Sequence, residues 1–108
     1  MLNTSDIKQR FNHIEQSVTQ AEQACKSGAG VPKDLRDTIH KLGTETDRAK
    51  QVLQTQDEKR IRKCIDELEM VGDQARDACQ RAGNVDDALK NTVMQVHREL
   101  SDLKHQLH

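Results

Sequence analysis

A chain of 108 residues is long enough to bury one core without disulfides or metal, and too short for two domains of ordinary size. One Phe and no Trp or Tyr leave little from which to build strands, whereas the wealth of Leu, Ala, Gln, Lys, Arg, Asp and Glu favours helices with solvated outer faces. A formal charge of -1 gives no field that would hold nucleic acid or an anionic membrane surface, so neither is expected as a partner.

The chain opens Met1-Leu2-Asn3-Thr4-Ser5-Asp6, without the basic and apolar regions of a secretory leader, and no stretch approaches the roughly 20 apolar residues of a membrane span. A cytoplasmic protein is expected. From there the apolar residues fall into a heptad register. Ile7, Phe11, Ile14, Val18, Ala21 and Cys25 recur at alternating steps of four and three, which predicts a helix over about 4–27 with Asn3 at its cap. A short loop near Ser27 to Gly30 follows, and Pro32 suits the first turn of a second helix over about 32–54. That helix carries Leu35, Ile39, Leu42, Thr46, Ala49 and Leu53 on the same spacing.

A third helix is expected over about 57–82, capped by Asp57 and carrying Ile61, Ile65, Leu68, Gly72, Ala75 and Cys79. A fourth, over about 85–107 with Asn84 at its cap, carries Leu89, Val93, Val96, Leu100, Leu103 and Leu107. Sliding the chain against itself explains the recurrence. At an offset of 54 the two halves match without a gap, with identities at 12 of 54 positions that include Glu15/Glu69, Cys25/Cys79, Glu45/Glu99 and Lys50/Lys104.

Two tandem hairpins, 1–54 and 55–108, therefore build one domain. The expected fold is all-α, an antiparallel up-down-up-down four-helix bundle with left-handed, coiled-coil-like packing. The segment Gln54-Thr55-Gln56 holds neither Gly nor Pro, which leaves open a continuous helix through it and a domain-swapped dimer. Small residues crowd one half of the core, and a pocket around Gly72 is the ligand-binding alternative to close helix packing there.

The halves also differ in features that symmetry does not explain. Cys64, Val71 and Ala78 widen the apolar stripe of the third helix where the first has Arg10, Ser17 and Ala24, and they are the candidate surface for a partner or a second copy. Lys59, Arg60, Arg62 and Lys63 form the one dense basic run, a candidate contact for an anionic group, though no aromatic residue accompanies it to stack a base. Cys25, Cys64 and Cys79 show no Cys-x-x-Cys or Cys/His spacing and are expected to be free thiols.

His13, His40, His97 and His105 all lie off the seam. Asp37-x-x-His40 and Asp102-x-x-His105 have the helical spacing of di-metal carboxylate bundles but not their inward setting, and His105 with His108 offers only adventitious binding. Ile39-His40-Lys41-Leu42-Gly43 resembles the H-x-x-K-G motif of histidine-phosphotransfer domains, which are bundles of similar size. It departs from that motif in having Lys beside His40 and Gly three residues on. The resemblance implies phosphate transfer through His40.

No Ser/His/Asp set, H-E-x-x-H, phosphate loop or inward carboxylate pair is found, so no catalytic residue, cofactor or metal site is expected. The sequence thus points to a non-catalytic helical module acting by protein contact, through self-association or partner docking. The alternatives are histidine phosphotransfer at His40 and a small-ligand or metal-binding bundle.

Overall fold

In a computed structural model, the described residues are 4–27, 30–83 and 85–107. Among them the chain forms four helices and no strand: α1 (Thr4–Ser27), α2 (Lys33–Gln54), α3 (Glu58–Ala82) and α4 (Asp87–Leu107). The expected starts of α2, α3 and α4 lie one or two residues early, because Pro32, Asp57 and Asp86 stand before the helices and cap or introduce them. The body measures 40 × 20 × 18 Å.

Each helix packs on its two neighbours in the order α1, α2, α3, α4 and back to α1, while α1/α3 and α2/α4 face each other diagonally. That ring is the closed up-down-up-down bundle the hairpin repeat requires. Every one of the seam residues, Gly72 and Thr46 included, is buried. Thr46 satisfies its hydroxyl within the core by donating to the Leu42 carbonyl at 2.7 Å.

The connection between the hairpins turns sharply, so the continuous helix through 54–57 does not form. Gln56 takes a φ of 58°, in the left-handed region. Thr55 anchors the break from both sides, its hydroxyl donating to the Val52 carbonyl at 2.7 Å and accepting from the Asp57 backbone N-H at 3.3 Å. Asp57 then accepts from the backbone N-H groups of Lys59 and Arg60 at 3.1 and 3.3 Å, the cap its position suggested. Asn3 and Asn84, assigned the same role, lie outside the described residues; at α4 it is Asp86 that accepts from the Ala88 N-H, at 3.4 Å.

Gly72 does not open a pocket. A Cβ there would lie 3.1 Å from Leu100 Cδ1, so the missing side chain is replaced by Leu100, itself fully buried. The small residues at this level let α3 and α4 approach, and packing takes up the space.

Candidate functional site

The two hairpins differ in space at the positions where they differ in sequence. Cys64, Val71 and Ala78 are buried within the chain, at 8%, 5% and 4% exposure. Cys64 lies close to Glu45 and Arg48 of α2, which identifies the column as the flank of α3 turned to that helix. The surface expected for a partner is therefore interior in the closed bundle: a wide apolar stripe on α3 is what its close packing against α2 requires. Met70 is the exposed large hydrophobic residue of the described chain.

The basic run lies on the first turns of α3. Lys59, Arg60 and Lys63 are exposed, with Lys59 and Lys63 four residues apart on one face. Arg62 leans back to Glu58 at 3.5 Å. Two of the N-H groups that a helix start would offer an anion here, those of Lys59 and Arg60, are already bonded to Asp57.

His40 is exposed on α2 beside a cavity of about 260 Å³ between α1 and α2, lined by residues that include Glu22, Arg36 and Asp37. Asp37, Asp102 and His105 are exposed, consistent with positions off the seam, and His108 lies outside the described residues. The three cysteines are free. Burial pushes the thiol of each above its ordinary range; Arg36 pulls Cys25 part of the way back, as Lys90 does Cys79.

Two sets of polar side chains flank α4, each joining a glutamate common to both hairpins, Glu99 or Glu69, to residues that only one hairpin has. Between α1 and α4, Arg10 occupies the position that Cys64 fills between α3 and α2, and unlike Cys64 it stands out to solvent. A cavity of about 430 Å³ results, lined by Gln9, Arg10, His13, Ile14, Glu99 and Asp102. His13 Nδ1 meets Glu99 Oε1 at 2.6 Å across it, while Glu99 Oε2 is buried without a hydrogen-bond partner among the described residues. Two turns further along α4 from Glu99, Gln106, with its amide oxygen turned to α1, accepts from both terminal nitrogens of Arg10 at 3.1 and 3.3 Å.

Between α3 and α4 lies a denser cluster. Glu69 and Asp73, four residues apart on α3, face His97 on α4, and one ligand atom from each falls within 4.8 Å of the others. His97 Nε2 contacts Asp73 Oδ1 and also Arg76 Nη1, the latter at 3.2 Å. Lys104 pairs with Glu69 at 3.5 Å, and Arg76 with Asp77 at 3.3 Å.

The sequence reading passed over this cluster because His97 lies off the seam. The signal was nonetheless present at the offset of 54, where Gly43 and Thr19 stand for His97 and Asp73, so that only the second hairpin has the set. In the first hairpin the Glu22 carboxylate occupies the place of a Gly43 side chain, 2.7 Å from where its Cβ would be.

The fold and these residues define a four-helix bundle with a charged surface, a cavity between α1 and α4, and a cluster of ionisable side chains between α3 and α4. Comparison with protein-family models, with curated proteins and with solved structures finds no match to the chain. No helix among the described residues is long and apolar enough to cross a membrane.

Proposed function

We propose that the chain is a non-catalytic cytoplasmic module that works by binding another protein, and that the contact is the α1/α4 groove. The observation that carries this reading is the Glu99 carboxylate, whose buried Oε2 has no partner among the described residues, on a cavity wall that Asp102 also lines. An unpaired buried acceptor costs roughly 1–3 kcal/mol. A lysine or arginine of a partner chain supplies the missing donor, facing the two carboxylates of Glu99 and Asp102 against the single guanidinium of Arg10 on the cavity wall. Three free, buried thiols accord with a reducing compartment.

The test is a photo-crosslinking side chain at Gln9, in the groove, compared with one at Lys41, exposed on α2. Crosslinking to one defined protein from position 9 alone, lost in Glu99→Gln, is the expected result; a doubled mass of this chain would identify the partner as a second copy. Equal capture from both positions, or none from either, rules the groove out.

A further inference from the structure

The α3/α4 cluster leads to a different kind of ligand. His97 Nε2 faces an acceptor, Asp73 Oδ1, and a donor, Arg76 Nη1, at the same time. One ring nitrogen cannot serve both: protonated, it opposes the guanidinium N-H, and with its lone pair exposed it opposes the carboxylate lone pair. A cation held between the imidazole nitrogen and the carboxylate removes the conflict, because both lone pairs then point at positive charge.

From this geometry we propose that Glu69, Asp73 and His97 bind one divalent transition-metal ion, of which zinc is the best fit. Zinc accepts one imidazole nitrogen and two carboxylate oxygens at roughly 2.0–2.2 Å, and three protein ligands leave a fourth position for water. The ligand atoms already lie within 4.8 Å of one another, so the side chains close on the ion by small torsional changes without moving the helices. The ring proton then resides on Nδ1. Arg76 gives up Nε2 and remains on Asp77, to which it is bonded through Nη2 at 3.3 Å. Glu69 offers the ion one oxygen while Lys104 stays on the other, so Lys104 becomes the partner that orients a ligand.

Glu69 and Asp73 balance a divalent ion and Asp77 balances Arg76, which leaves the charge of Lys104 to be screened by water at its 40% exposed side chain. The first hairpin supplies an internal control: Glu15, Thr19 and Gly43 at the equivalent positions hold one ligand in place of three, so the stoichiometry is one ion per chain.

Zinc titration of the tag-free full chain, followed by native mass spectrometry and calorimetry, tests this. One zinc per chain is expected, with affinity falling at least tenfold in both His97→Gln and Asp73→Asn and unchanged in His105→Ala. Nitrogen-15 spectra of the imidazoles should show His97 fixed with its proton on Nδ1 when zinc is added, and His13 and His40 unmoved. No stoichiometric zinc, or zinc whose affinity survives both substitutions at the cluster, overturns the site, as does a spectral change confined to His105. If His97→Gln lowers the helical signal, Asp73→Asn alone decides, its side chain being half-exposed and outside the seam.

Discussion

The Nζ of Lys104 lies 3.5 Å from Glu69 Oε2 across the second hairpin, and Lys50 stands at the same distance from Glu15 across the first. The hairpins are thus equivalent in their ion pairs as well as their cores, but the two pairs do not have equal surroundings. Glu69 keeps 12% of its side-chain exposure, whereas Glu15 keeps 29%, and the more buried carboxylate has lost more of its water. Double-mutant cycles should give a coupling of about 0.2–1 kcal/mol for Lys50 with Glu15, as for exposed pairs generally, and a larger one for Lys104 with Glu69. Equal couplings would mean that the burial difference has no energetic consequence.

Val71→Asp separates core from contact surface. Val71 is 5% exposed on the flank of α3, so a carboxylate there is desolvated with no cationic partner designed for it. The expected loss is about 3–5 kcal/mol, a large share of the 5–15 kcal/mol typical of a domain. Chemical denaturation followed by the helical signal measures it. A variant that keeps its stability but no longer associates would restore Cys64, Val71 and Ala78 as a docking surface.

How far the sequence reached depends on the range of the interaction. The seam was legible because burial in a bundle imposes a heptad period, and all its residues from Ile7 to Leu107 are buried. The break at Thr55 and Gln56 was not, because it is made by a threonine side chain and a left-handed glutamine in place of Gly or Pro. The apolar column through Val71 was visible as a pattern, but which helix covers it is a property of the ring order. His97, Asp73 and Glu69 needed more still: their meeting depends on the rotation of α3 against α4, which no one-dimensional spacing encodes.

Alkaline pH should weaken the fold through its cysteines. Unfolded thiols ionise near 8.5, whereas burial holds those of Cys25, Cys64 and Cys79 higher, so above about 8.5 the native state retains protons that the unfolded state has released. The stability they contribute is complete below that pH and is lost as pH rises from there through the native values, by at most about 1.4 kcal/mol per unit for each thiol. Unfolding curves between pH 7.5 and 9.5 should fall less steeply in Cys64→Ala than in the parent chain. The same burial predicts slow native reaction with a thiol reagent, accelerated by denaturant.

The turn between the hairpins holds a removable strain. Gln56 has its φ at 58°, a conformation that costs a residue with a Cβ about 1–2 kcal/mol and glycine nothing. Part of that gain is returned through the greater freedom of glycine in the unfolded chain. Gln56→Gly should therefore raise stability by about 0.5–1 kcal/mol and leave the chain's molar mass in solution unchanged. A drop in stability would show that the Gln56 side chain contributes more than its backbone costs.

Two helical glycines should respond to alanine in opposite directions. Each gains about 0.8–1 kcal/mol of helix propensity from the substitution, so the sign is set by what the new methyl group meets. At Gly43 it meets the end of the Glu22 side chain, three freely turning bonds from its backbone and half-buried, which moves aside. Gly43→Ala should stabilise by about 0.5–1 kcal/mol. At Gly72 it meets Leu100 Cδ1 at 3.1 Å, in a side chain with no exposed surface and closely packed neighbours. Overpacking of that kind costs about 1–3 kcal/mol, which exceeds the propensity gain, and Gly72→Ala should destabilise. Adding Leu100→Val to Gly72→Ala removes the clashing reach of the leucine, so the pair should cost less than the sum of its single changes. Additive costs would locate the penalty in the backbone of α3 and not in its contact with α4.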